Sequence, residues 1–247
     1  MLRVCDLTMR YPNGKLALAG FNLAVAPGEL VVVLGGNGSG KTTLLRCVAR
    51  MLEPTAGAVW LGDVDLVGLA GERLRQARLP LAMIWQQANL VRRRSVLANA
   101  ASGTLGRHGG WRTALGGLPP EEVPGAYRCL EQVGLADLAA QRAGTLSGGQ
   151  AQRVAIARAL AQRPRVLLAD EPVASLDPEA AHDIMRLLQR LAREQELAVL
   201  CVLHQLDLAD EYADRVVGIR AGRMVFDVPS GELPREAVRR LYLSEAA

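Results

Sequence analysis

Three stretches of this chain are apolar without a break: Leu30-Val31-Val32-Val33-Leu34, Val166-Leu167-Leu168-Ala169 and Leu200-Cys201-Val202-Leu203. A short run with no polar alternation suits a strand buried on both faces. Other segments repeat at helical spacing. Over 151–162, Val154, Ala157, Leu160 and Ala161 share one face; 183–195 is strongly periodic; 43–51 and 233–243 also read as helices, the former closed by Pro54. Residues 2–34 divide into short strands at Pro12-Asn13-Gly14 and Pro27-Gly28. A further strand–turn pair is predicted over 57–66, and a last one over 216–227 with its turn at Ala221-Gly222. Residues 87–164 are helical in pattern, with a Gly-rich interruption at 103–120 expected to be a surface loop. From 165 strands and helices alternate, as a parallel α/β sheet requires.

The first apolar run leads directly into Gly35-Gly36-Asn37-Gly38-Ser39-Gly40-Lys41-Thr42, and Thr43 opens the predicted helix. The spacing G-x-x-x-x-G-K-[ST] between a strand and a helix is a phosphate cradle. Glycines let backbone N–H groups turn inward, and the helix start adds partial positive charge. In such a loop Lys41 reaches the β- and γ-phosphates and Thr42 holds Mg²⁺ through its hydroxyl.

Leu146-Ser147-Gly148-Gly149-Gln150 precedes the helix over 151–162. Ser147 is a natural N-cap, and the two glycines expose backbone amides, so this is a second helix start suited to an anion. The second apolar run ends in Asp170-Glu171, two carboxylates that strand alternation would aim to opposite faces. Pro172 then stops the strand. The third run ends in His204.

With these motifs in this order, the sequence resembles the ATP-binding cassette family over essentially its whole length. The resemblance implies an α/β P-loop NTPase fold: a RecA-like parallel-sheet core (about 1–86 and 165–247), an N-terminal antiparallel β subdomain and an inserted helical subdomain (about 87–164). It implies two copies packed head to tail. Each ATP would lie between the cradle of one copy and Ser147, Gly148, Gly149 and Gln150 of the other. Asp170 would associate with Mg²⁺, Glu171 would be the general base toward water, and His204 would contact the γ-phosphate. Gln86, after Met83-Ile84-Trp85, would sense Mg²⁺ and the attacking water and begin the segment that meets a membrane partner. Gln87 is adjacent, and the choice rests on alignment to the apolar run. Tyr11 would stack on adenine, and Asp177 would lie in a loop crossing the dimer interface. Two transmembrane permease subunits and a separate substrate-binding protein would complete the assembly at the cytoplasmic face of the membrane.

Composition narrows the classes. Half of the 247 residues are hydrophobic, so a sizeable core is available. No apolar run approaches the ~20 residues that span a bilayer, and no signal-peptide pattern is read at the N-terminus. The net charge is +4, and of 29 basic residues only Lys15 and Lys41 are lysines. The arginines are scattered except for Arg92-Arg93-Arg94, which reads as a solvated or partner-facing patch rather than a nucleic-acid site. The four cysteines show no metal-ligand spacing, and Cys47 and Cys201 fall in apolar elements. No internal repeat is visible, so the chain is one half of a dimer rather than a fused pair.

Several stretches are similar to the phosphonate-importer branch: 171–178, His204-Gln205-Leu206-Asp207-Leu208-Ala209, Tyr212-Ala213-Asp214-Arg215, 218–227, and Trp111-Arg112 after Leu105-Gly106. Departures are Trp85 where Phe is usual, Gly36-Asn37 in place of Pro-Ser, and Ala151 where Gln is usual. The branch implies cargo such as phosphonate or a related phosphorus oxyanion. The alternatives are another importer, a lipoprotein-release system, or a non-transport cassette of a phosphonate-breakdown complex.

Overall fold

A computed structural model describes residues 1–108 and 120–242. The chain begins with strands β1 (Leu2–Arg10), β2 (Leu16–Val25) and β3 (Leu30–Leu34), then helix α1 (Lys41–Val48). Next come β4 (Ala56–Leu61), β5 (Val64–Asp65), α2 (Gly71–Ala77) and β6 (Leu81–Ile84). Helices α3 (Val96–Ala101), α4 (Val123–Gln132) and α5 (Gly148–Ala161) follow. The chain then alternates through β7 (Val166–Asp170), α6 (Pro178–Gln195), β8 (Ala198–Leu203), α7 (Leu206–Tyr212), β9 (Arg215–Arg220), β10 (Arg223–Pro229) and α8 (Arg235–Tyr242).

Two sheets result. One is antiparallel, in the order β2-β1-β4-β5. The other runs β10-β9-β3-β8-β7-β6, parallel apart from its edge strand β10. The three unbroken apolar runs form its centre, and alternation along each strand explains why none carries a polar position. Val32, Leu34, Leu167, Ala169, Cys201 and Leu203 pack into a core shared with α3, α4, α5 and α6. Val31, Val33, Leu168, Leu200 and Val202 pack into a second core with α1 and the antiparallel sheet. Successive side chains point to opposite faces, so a strand covered on both sides needs apolar residues throughout. Cys47 and Cys201 are buried, as expected, and burial pushes the Cys47 thiol up to about 11.

Several boundaries differ from the sequence reading. Helix α1 occupies 41–48 rather than 43–51, because Lys41 and Thr42 themselves form its first turn. It stops well before Pro54: Arg50 takes a left-handed conformation (φ +51°) and its guanidinium Nε donates to the Leu66 carbonyl at 2.9 Å. Helix α6 begins at Pro178, not 183, because Asp177 caps it and proline suits the first helical position. Residues 102–107 are not surface loop but a 3₁₀ helix; Gly103 lies against the Arg158 backbone with no room for a side chain, and Thr104 is buried. The remainder of that interruption, Trp111-Arg112 included, lies outside the described residues. The last helix covers 235–242 of the expected 233–243, position 243 also lying outside.

Candidate functional site

The loop over 35–40 joins the buried strand β3 to α1, so its position is fixed at both ends by the core. Gly35 is confined by the Ile219 carbonyl and Ser39 Oγ, and Gly40 takes φ +114° against the Ala17 carbonyl, conformations and spaces that only glycine meets. A cavity of about 260 Å³ opens above this loop, lined by Tyr11, Asn37, Ser39, Lys41, Thr42 and Glu171 among others. Gly38, Gly40 and Thr43 line it as well, and so does Lys15: the chain's two lysines face one cavity.

Lys41 is buried, and its ammonium donates to the carbonyls of Gly35 at 2.8 Å and Gly36 at 3.0 Å. Burial lowers its pKa, while the charges of Glu171 and Asp170 act in the opposite sense. The Thr42 hydroxyl donates to Asp170 Oδ1 at 3.3 Å. Burial raises the Asp170 carboxyl pKa, with Thr42 opposing. Ser39 is among the residues that line the cavity, and its Oγ, buried beside Gly35, has no hydrogen-bond partner in the structure. A buried hydroxyl without a partner is costly unless a ligand supplies one. Phosphate oxygens above the loop would do so, and the donor-rich loop fits them. The Thr42 and Asp170 oxygens are hard donors suited to Mg²⁺, which ordinarily takes one or two protein ligands and completes its shell from phosphate and water.

Glu171 is held differently from its neighbour. Strand β7 ends at Asp170, and Glu171 adopts a left-handed conformation (φ +49°), its amide donating to the Val202 carbonyl. Glu171 therefore lies in a turn past the strand end, not within the strand alternation the sequence suggested. The turn brings Glu171 Oε1 within 2.6 Å of His204 Nε2, at the end of the adjacent strand β8. Cradle, acidic pair and histidine therefore stand at the carboxyl ends of three neighbouring parallel strands.

Other expected residues lie apart. Gln86 is exposed just beyond β6 and outside the cavity lining. Tyr11 is at the cavity rim, its hydroxyl tied to Thr43 Oγ1 at 3.1 Å. Ser147 and Gln150 form a reciprocal cap at the start of α5: Gln150 N donates to Ser147 Oγ at 3.2 Å, and Ser147 N to Gln150 Oε1 at 3.0 Å. Together with Gly149 they line a second cavity of about 380 Å³, which shares no residue with the first. Gly148 packs against Leu176. Asp177 Oδ1 accepts from Ala180 N at 2.9 Å, capping α6. Within one chain, then, the two anion-suited helix starts do not meet.

Two contacts were not legible in the sequence. Ser39 is one position among the motif's variable four, and nothing in its identity announced an orphaned hydroxyl. The last turn of α8 reaches the site: the Leu241 carbonyl closes on Gly36, and the Tyr242 hydroxyl donates to the His204 carbonyl at 3.3 Å. Helical periodicity near the C-terminus was the only signal for it.

The profile of the family described as ABC transporter matches residues 18–174. The phosphonates import ATP-binding protein PhnC of Wolinella succinogenes is 46% identical over 245 residues, covering 99% of this chain and 89% of that protein. The protein of the same name from Alcaligenes faecalis is 45% identical, with 99% and 89% covered. Among solved structures, the dimeric post-hydrolysis state of the ATP-binding cassette MJ0796 bound to ADP and Pi is similar at a TM-score of 0.79 and 31% identity, covering 93% of this chain and 98% of that one. A nucleotide-free ATP-binding cassette from an ABC transporter gives a TM-score of 0.86 at 26% identity, with 99% of each chain covered. A phosphate cradle, an acidic pair joined to a histidine and a separate capped glycine start thus stand in a chain that this profile and these relatives match, and the chain belongs to the ABC transporter family as an ATP-binding, ATP-hydrolysing subunit.

Proposed function

We propose that this chain energises import of a phosphonate or a related phosphorus oxyanion. The loop over 35–42 binds the ATP phosphates. Lys41 exchanges its two loop carbonyls for β- and γ-phosphate oxygens, and Ser39 gains the acceptor it lacks. Thr42 and Asp170 would hold Mg²⁺, which when bound would supply charge to offset that developing on the phosphates. Glu171 accepts a proton from the attacking water, and His204 orients Glu171 and contacts the γ-phosphate. Tyr11 would lie against the adenine, and Gln86 would sense Mg²⁺ and the attacking water. Because the Ser147-Gly148-Gly149 start is remote from its own cradle, a second copy supplies it, with Gln150 fixing the cap and Asp177 lying at the joint between copies. ATP then favours the closed pair, and hydrolysis releases it.

The observation that carries hydrolysis is the 2.6 Å contact between Glu171 and His204 beside the phosphate cavity. The cargo rests on the relatives named as phosphonates import proteins. An open groove of about 430 Å³ between α2 and β6, lined by Met51, Leu74, Leu79, Met83 and Trp85, supports docking of a permease helix beside Gln86. No helix among the described residues is long and apolar enough to cross a membrane. On this reading two permease subunits carry the pathway and a separate binding protein delivers the cargo. The domain division follows the same reading: a core over about 1–86 and 165–247, with the helical segment 87–164 between core and permease.

Glu171→Gln tests the chemistry. Turnover should fall about 10²- to 10⁴-fold, the usual contribution of a general base, while ATP still binds and holds a dimer. Near-native turnover in that variant removes Glu171 from its role.

A further inference from the structure

The starts of α5 and α6 lie side by side with almost no side chain between them. A Cβ on Gly148 would stand 3.3 Å from Leu176 Cδ2, and one on Gly149 would stand 3.1 Å from Ala180 Cβ. One turn further along both helices, Arg153 Nη2 donates to Asp183 Oδ2 at 2.6 Å. Gly149 and Arg153 share a face at i,i+4 spacing, as do Ala180 and Asp183 at i,i+3, so the two contacts are successive rungs of one helix–helix seam. Arg186 Nη1 holds the other Asp183 oxygen at 3.1 Å, fixing the carboxylate from a second side.

Glycine and alanine at the first rung let the helices approach but give them no directional contact. The charged rung supplies it. Both side chains are about a third exposed, 31% for Arg153 and 37% for Asp183, so the pair adds little to folding, as surface ion pairs generally do. It joins the helix that begins at Gly148 to the helix that Asp177 caps. Arg153 borders the second cavity, and neither residue lines the phosphate cavity.

We propose that Arg153 and Asp183 are positioning residues that hold the Ser147-Gly148-Gly149 helix start and the Asp177 loop as one rigid face toward the nucleotide of a second copy of this chain. This rests on the two-copy reading above. Neither residue touches ATP; each acts through the helix it steers.

The test uses the full chain. In the native background, Arg153→Ala and Asp183→Asn should each lower kcat about ten- to a hundredfold, the scale of a sub-ångström to 1 Å misplacement, with KM for ATP unchanged. In the Glu171→Gln background the same changes should weaken ATP-dependent dimerisation, read by light scattering, about tenfold, with ATP affinity by calorimetry within about twofold, because the cradle is intact. The double variant should be no worse than either single, since the two side chains act as one unit. Arg153→Lys should restore part of kcat. Native kcat and dimerisation in both single variants overturn the proposal. So does a parallel loss of ATP affinity, or a melting temperature lowered enough to account for the activity, because the pair would then be merely structural. If Glu171→Gln alone gives no ATP-bound dimer, the two-copy reading fails instead, which keeps the two failures apart.

Discussion

Replacing Gly40 by alanine puts two independent penalties on the phosphate loop. The residue sits at φ +114°, ψ −1°, a conformation that costs a non-glycine residue on the order of 1–3 kcal/mol. The added Cβ would also stand 2.5 Å from the Ala17 carbonyl oxygen, 3.3 Å from Leu18 Cδ2 and 3.4 Å from Ile219 Cδ1. The first of these is backbone in β2, so relief requires moving either that strand or the loop. Repacking of this kind adds about 1–3 kcal/mol, giving about 2–6 kcal/mol together. If the loop holds its shape, the loss falls on folding, and melting drops by about 4–24 °C at 2–4 °C per kcal/mol for a chain of this size. If the loop moves instead, the loss falls on ATP affinity, about 30- to 10⁴-fold at 1.4 kcal/mol per decade. Calorimetry with Mg-ATP and a thermal melt on one preparation read both. Gly62→Ala is the control: its φ is +62° but nothing lies within 4 Å of the added Cβ, so only a modest melting loss, of about 1–2 kcal/mol, is expected, with ATP affinity native. Native affinity together with native melting in Gly40→Ala would refute the reasoning.

Three further expectations follow from the site. Burial raises the Asp170 pKa, so the folded chain keeps a proton there that the unfolded chain loses above its ordinary value of 3.8; stability declines as pH rises from that value through the raised one, and the loss persists at neutral pH. Asp170→Asn should therefore melt higher than the native nucleotide-free chain at pH 7, the difference closing in acid, while Mg²⁺-dependent turnover disappears; a lower melting temperature at pH 7 contradicts this. Ser147→Ala removes the hydroxyl that caps α5 at 3.2 Å and should cost about 1 kcal/mol, seen as about 2–4 °C in a melt, and should slow turnover without changing ATP affinity. Leu74→Glu places a charge in the groove between α2 and β6 and should abolish co-purification with the permease subunits while the isolated chain still binds ATP at native affinity; retained co-purification would move the docking surface elsewhere.

Much of this could be read before the structure because the informative residues are informative locally. An apolar pentad such as Leu30–Leu34 has few fates other than a doubly covered strand, and a Gly-rich loop ending in Lys41-Thr42 fixes its own chemistry by spacing. The cap at Ser147 was legible for the same reason, hydroxyl and amide being three residues apart. What escaped depended on distant residues. Helix α1 ends where Arg50 is drawn to the Leu66 carbonyl, a partner sixteen positions away. Glu171 is turned by a backbone contact to the neighbouring strand, which alternation within β7 could not foresee. The approach of Tyr242 to His204 spans thirty-eight positions. The Arg153–Asp183 bridge appears only when two helices are laid together.

The central claim is that ATP hydrolysis at Glu171 drives import of a phosphorus compound. Its most direct test is uptake of a labelled alkylphosphonate by cells carrying either the native chain or Glu171→Gln, with growth on that compound as sole phosphorus source scored alongside. Uptake and growth should collapse together in the variant. Uptake that persists while growth fails would assign the chain to intracellular breakdown, and persistence of both would contradict phosphonate as its cargo.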